Sequence, residues 1–219
     1  MGVRLHVWGE RACFTRPEMK VERVSYDVIT PSAARGILES IHWKPAIRWT
    51  VTRLQVLNRI RFETIRRNEI ASVISEGTAR RAMNAGSLHG LGLDVTDARM
   101  QRATVALKDV AYVIEARFER TSRWGKQDTD AKHIDMFTRR ARKGQCFHRP
   151  CLGTREFDAH FALLEDGDDV PMGTLAAEES DRDLGWMLHD VDYETRSPRF
   201  FRATMENGAI DVPPFGEVG

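Results

Sequence analysis

Apolar and polar positions alternate from the start of the chain. Val3, Leu5 and Val7 are interleaved with Arg4, His6 and Trp8, a period of two that predicts a first strand. A charged loop follows, from Gly9 to about Ile29. Thr30-Pro31 then opens a helix, with Thr30 as N-cap and Pro31 at its first position. Ala34, Ile37, Leu38 and Ile41 give that helix one apolar face, and Pro45 closes it. Ile47 to Leu57 reads as a second strand. The stretch from Arg59 to about Asp97 is polar and irregular, and includes the glycine-rich piece GSLHGLG. Two β-rich runs, RATVAL and VAYVIEARFE, come next. A second helix capped by Asp130 or the nearby Thr129 runs to about Lys143 and stops at Gly144. Phe157 to Leu164 is the fourth main strand, and a hairpin is expected around Glu206-Asn207-Gly208.

With the insertions set aside, the order is β-α-β-β-α-β, the split pattern of ferredoxin-like α+β folds. The expected organisation is a ferredoxin-like domain over residues 1–164, with inserted loops at 58–100, and a small β-rich C-terminal domain over 165–219. No apolar run approaches the roughly 20 residues that cross a bilayer, and MGVRLHVWGERACF lacks a signal-peptide core. Three cysteines without framework spacing point to a reducing cytoplasm.

A net charge of +1 conceals an asymmetry. Residues 1–160 carry 29 Lys and Arg against 18 Asp and Glu, whereas residues 161–219 carry 4 against 14. A basic body of this kind suits a polyphosphate ligand, because each neutralised phosphate releases counterions. A bipolar surface serving solubility or self-association is the alternative.

Lys132-His133 stands at the head of the second helix, where the dipole disfavours cations unless something anionic binds. The free N–H groups of that helix end, with Lys132, would make a phosphate seat, and a neutral His133 could serve as a base. The plain alternative is two solvated side chains, since Ile134, Phe137 and Ala141 define the expected buried stripe. Arg139, Arg140, Arg142 and Lys143 complement the negative end of the same helix, and phosphate contact would be an addition to that role. Arg59, Arg61, Arg66 and Arg67 with Phe62 form a second basic stretch suited to RNA, in which the pair Arg66-Arg67 is placed in a loop. His42 and Lys44 lie in SIHWKP at the end of the first helix; a histidine beside a tryptophan is ordinarily packed or capping. Cys146, His148 and Cys151 in CFHRPC fall short of the paired spacings of structural zinc, and no metal is expected. His189-Asp190 has no partner cluster, and GSLHGLG lacks the ending of a phosphate-binding loop.

The run TRPEMKVERVSYDVITPSAARGILESIHWKPAIRW, together with KHIDMFTRRARKGQCFHRPCLGTREF and the late ATMENG, resembles the CRISPR-associated Cas-five family, subtype I-C (Dvulg) branch. The likeness extends over nearly the whole chain. It implies a RAMP (RRM-like) ferredoxin domain with a small C-terminal β domain. It also implies a pre-crRNA processing endoribonuclease that cuts the CRISPR repeat hairpin and stays on the crRNA. The implied partners are the backbone and large subunits of a type I-C effector complex; no membrane is expected, and the basic face leaves room for double-stranded DNA as a secondary ligand. The family's catalytic set is a tyrosine in S-I-Y-W-K-P and an adjacent Lys-His pair. The pair corresponds to Lys132-His133, and the tyrosine position is occupied by His42.

The expected chemistry is attack of a ribose 2′-OH on the adjacent phosphorus, without metal or cofactor. His133 would act as base or acid, Lys132 would stabilise the phosphorane, and His42 would take the remaining proton-transfer or orienting role. Lys44, Arg66, Arg67, Arg139, Arg140 and Lys143 are the expected RNA contacts. A non-catalytic subunit gripping the crRNA 5′ handle is the alternative, and the tyrosine-to-histidine departure favours it. A metal-dependent DNase or DNA-binding protein is a third, weaker reading.

Overall fold

A computed structural model describes residues 2–218. In chain order the strands and helices are β1 (Gly2–Ala12), β2 (Arg23–Val24), α1 (Pro31–Ile41), β3 (Ile47–Val56), β4 (Phe62–Ile70), α2 (Glu76–Ala85), α3 (Val95–Ala98), β5 (Arg99–Arg120), α4 (Asp130–Arg142), β6 (His160–Leu164), β7 (Arg182–Asp192), β8 (Ser197–Met205) and β9 (Ala209–Asp211). The main sheet has the order β6-β1-β5-β3-β9, and β2 and β4 also pair with β5. β1 pairs antiparallel with β5 and β6, and β3 with β5 and β9, with Leu5 opposite Ile114 and Ile114 opposite Leu54. β1, α1, β3, β5, α4 and β6 thus trace the β-α-β-β-α-β order.

Local chemistry explains both helices of that frame. Thr30 Oγ1 accepts the Ala33 N–H at 3.3 Å, and Pro31, which has no N–H to leave unpaired, starts α1. Ala34, Ile37, Leu38 and Ile41 are buried, as the period of α1 predicts. His42 takes an extended conformation and ends the helix, its N–H bonded to Leu38 O at 3.0 Å. In α4, Thr129 is the cap: its side chain accepts the Lys132 N–H at 3.2 Å. The buried stripe of α4 is His133, Phe137 and Ala141, one turn apart, whereas Ile134 is only half-buried. The expectation had placed Ile134 in that stripe and left His133 outside it. Polar partners let the imidazole replace the aliphatic side chain in the core.

The polar stretch after Arg59 is more ordered than its composition suggests. Residues 64–104 form a compact unit of their own, holding most of β4, α2, α3 and the start of β5. Within it Arg67 Nη2 donates to Thr104 Oγ1 at 2.7 Å, and Arg102 pairs with Glu69 at 3.5 Å. Ser75 caps α2 and Gly86, with φ of 60°, ends it. Neither α2 nor α3 buries a residue. The alternation in β4 carries no hydrophobic signal because Arg67 and Glu69 occupy its half-buried face.

The two expected β-rich runs are one strand of 22 residues, β5. The Lys108-Asp109 break between them is a local irregularity with Asp109 at φ of 50°, and pairing to β1 resumes on both sides. β7 and β8 form a separate two-stranded sheet, while β9 pairs with β3 and forms that edge of the main sheet. All three lie in the unit made of residues up to Glu63 and from Val105 onward. Asn207 and Gly208 join β8 to β9 with φ of 51° and 77°, the primed turn that suits a hairpin. No helix among the described residues is long and apolar enough to cross a membrane.

Candidate active site

The C-terminus of α1 and the first turn of α4 bring the two histidines together. His42 Nε2 lies 3.0 Å from His133 Nδ1, although 91 residues separate them in the chain. On its other side His133 Nε2 lies 3.1 Å from Asp128 Oδ1, and His42 Nδ1 lies 3.5 Å from Arg140 Nη1. Donor and acceptor capacity orders this row. A guanidinium only donates and a carboxylate only accepts, so with both rings neutral each carries its proton on Nε2. The direction is then Arg140 to His42 to His133 to Asp128, with every ring nitrogen engaged. Trp49 Nε1 donates to His42 O at 2.8 Å, and Arg140 Nη1 donates to Ile41 O at 2.9 Å, which fixes the end of α1.

Both rings are buried, His42 at 0% and His133 at 1% exposure. Phe118 and Trp124 pack against His133, with ring centroids 5.9 and 5.4 Å away. Burial depresses the His42 pKa from its ordinary 6.5 to about 4, and the neighbouring His133, Arg140 and Lys44 act in the same direction. His42 is therefore neutral near pH 7. The Gly125 N–H, 3.0 Å from Oδ2, holds the Asp128 carboxyl below its ordinary range, and His133 and Lys132 add to that effect.

Lys132 is the solvent-facing member of the group, with its side chain 46% exposed. Its Nζ donates to Gln127 O at 3.0 Å and stands 3.7 Å from Asp128 Oδ1. The anion expected at this helix start is thus supplied in part by the chain itself. Asp128 precedes the helix, and Asp130 in its first turn pairs with Arg120 at 3.1 Å, so the end is less cationic than Lys132-His133 alone suggests.

The remaining expected contacts are dispersed. Lys44, Arg139 and Lys143 are exposed and Arg140 is half-buried against the histidines. Arg66 and Arg67 are on β4, not in a loop, and belong to the unit of residues 64–104. Arg142 pairs with Glu165 at 2.6 Å. Cys146 and His148 are exposed and Cys151 is half-buried; among the described residues no group of three or more His, Cys, Asp or Glu could hold a metal ion. His189 Nε2 donates to Pro213 O at 2.8 Å and the ring packs on Phe201 and Phe215, while Asp190 binds Arg35 at 2.7 Å. Asp128 and Trp124 were not found by sequence reasoning. The available signal for Asp128 was its i, i+4 spacing to Lys132.

A family profile described as CRISPR-associated protein (Cas_Cas5), the Cas5d subfamily, matches residues 2–213. A protein of Mannheimia succiniciproducens named CRISPR pre-crRNA endoribonuclease Cas5d is 60% identical over 214 residues, covering 97% of this chain and 95% of that one. A Thermus thermophilus protein of the same name is 41% identical over 231 residues, covering 96% and 91%. Among solved structures, a CRISPR-associated protein is similar with a TM-score of 0.69 at 24% identity, covering 100% of this chain and 94% of the other. A Streptococcus mutans protein gives the same TM-score and identity, with 100% and 95% coverage. These two structures support the fold.

Proposed function

Since the chain belongs to the Cas5d family of CRISPR-associated proteins, we propose that it is an endoribonuclease that cleaves CRISPR precursor RNA at the repeat hairpin. After the cut it stays on the crRNA 5′ handle within a type I-C effector complex. The observation that carries the reading is the pairing of His42 with His133 at 3.0 Å, next to the half-exposed Lys132.

Cleavage needs a base for the ribose 2′-OH, an acid for the departing 5′-oxygen and positive charge at the phosphorane oxygens. His42, neutral near pH 7 and bonded to Arg140 through Nδ1, presents its Nε2–H as a hydrogen-bond donor to the departing 5′-oxygen. His133 presents an unprotonated Nδ1 to take the 2′-OH proton and, once it carries two, can return one to the 5′-oxygen, with Asp128, 3.1 Å from its Nε2, balancing the charge. Lys132 has the exposure and reach to meet a phosphate oxygen once it releases Gln127 and Asp128. The 2′-oxygen forms a bond to phosphorus as the bond to the 5′-oxygen breaks. The products are a 2′,3′-cyclic phosphate and a 5′-hydroxyl, and no metal is needed to balance the step.

In the resting arrangement the two rings bond to each other beneath Trp124. RNA therefore reacts after the segment 121–129 is displaced, when contacts to the 2′-OH and the 5′-oxygen replace the bond between the rings. Lys44, Arg139, Arg140 and Lys143 hold phosphates around the site, and Arg66 and Arg67 act on the second unit.

The test is cleavage of an end-labelled repeat hairpin in excess EDTA by the wild type, Lys132→Ala and His133→Ala. The reading predicts one cut by the wild type and a loss of about 10²-fold or more in each variant. Binding without a cut would leave the non-catalytic handle-gripping subunit as the account. Activity that vanishes with EDTA would instead favour metal chemistry.

A further inference from the structure

Among the described residues the CFHRPC segment joins no group of His, Cys, Asp or Glu that could hold a metal, yet its placement is specific. Phe147 N–H bonds to Ser40 O at 2.7 Å and Gln145 N–H to Arg140 O at 2.9 Å, so the turn after α4 is pinned along α1. Between the two runs a groove of about 1180 Å³. This exceeds the roughly 300–1,000 Å³ of small-molecule sites and suits a length of chain.

Two flat aromatic side chains stand on its walls largely uncovered, Trp43 at 53% and Phe147 at 80% exposure. The charge beside them is positive. Lys44, Arg140, Arg149 and Arg155 line the groove against Glu39 and Asp158. Both acids are already engaged, Glu39 by Arg35 at 2.7 Å and Asp158 by Arg149 at 2.9 Å. Lys44 and Arg155 make no ion pair among the described residues. Arg140 also reaches His42 Nδ1 at 3.5 Å, so the groove and the buried histidine pair share one guanidinium.

Exposed rings interleaved with unpaired cations fit a polyanion that carries aromatic faces of its own. A base stacked in a duplex has no free face to offer, whereas an unpaired base does. We propose that this groove binds the unpaired nucleotides of the RNA next to the scissile phosphate. Their bases stack on Trp43 and Phe147, and their phosphates rest on Lys44 and Arg155. The proposal rests on the RNA reading given above and names its single-stranded subsite.

The test uses two repeat RNAs, a hairpin with its unpaired flanks and the same hairpin trimmed flush, with 2-aminopurine placed in turn in each flank. The full-length wild type, Trp43→Ala, Phe147→Ala and the conservative Trp43→Phe are compared by fluorescence and by Kd. Each alanine variant should lose 2-aminopurine quenching at one flank position and bind the flanked RNA about 5–150-fold more weakly. Trp43→Phe should recover most of the loss, and the flush hairpin should bind all four proteins alike. Equal affinity of wild type and both alanine variants for the flanked RNA would overturn the proposal, as would a groove whose alanine variants lose only a protein partner. Cleavage is scored in parallel so that the two readings separate. Flank-dependent binding without a cut retains the groove and removes the nuclease. A normal cut with unaltered stacking in the variants removes the groove alone.

Discussion

Protonation of His42 should weaken the fold in a way that one substitution can isolate. The ring is fully buried, next to His133 and Arg140, and its pKa falls from 6.5 to about 4. The unfolded chain therefore takes up a proton before the folded one does. Stability is at its full value above pH of about 6.5 and drains away as the pH falls toward 4. Integrating between those values gives a loss of about 2 kcal/mol on going from about pH 7.5 to about pH 5, on the order of 3 kcal/mol at the acid limit. For a chain of this size that corresponds to a fall in Tm of about 4–8 °C. Urea unfolding of the wild type and His42→Gln at both pH values is the assay. The variant removes this ionisation while other groups, including the partly buried His6, keep theirs. The wild type should lose about 2 kcal/mol more than the variant over that interval. Equal losses in the two proteins would refute the argument that His42 is held neutral by burial.

Other outcomes follow from the same geometry. Asp128→Asn keeps an acceptor for His133 Nε2 but removes the charge, so kcat on repeat RNA should fall by about 10²-fold with Kd changed by less than about twofold. The pH profile of kcat should shift with it, an effect that simple loss of packing would not produce. Phe137 is fully buried against Trp49, with ring centroids 4.8 Å apart, so Phe137→Ala should cost about 3–5 kcal/mol in urea unfolding.

The frame was legible in the sequence where hydrophobic period and capping agreed. Thr30, Pro31 and the stripe from Ala34 to Ile41 describe α1 without need of tertiary information. β4 was not legible, because its half-buried face presents Arg67 and Glu69, so no apolar alternation marks it. β5 was read as two strands because a polar pair, Lys108-Asp109, stands in its middle. The site was legible in its residue types and only partly in its form. The resemblance named His42, Lys132 and His133, and both the packed, capping account of His42 and its approach to the Lys-His pair hold at once. The burial of His133 was not legible, because hydropathy assigns that face to Ile134. Asp128 read as a loop acid and Arg140 as a complement to the helix dipole. The row of contacts that joins them through the two histidines forms only once α1 and α4 are side by side.

The proposed cleavage requires a ribose hydroxyl as the nucleophile beside the two histidines. Replacing the single ribose 5′ of the cut by deoxyribose should abolish cleavage of the repeat hairpin while leaving its affinity nearly unchanged. A cut of that substrate at the ordinary rate would contradict the mechanism.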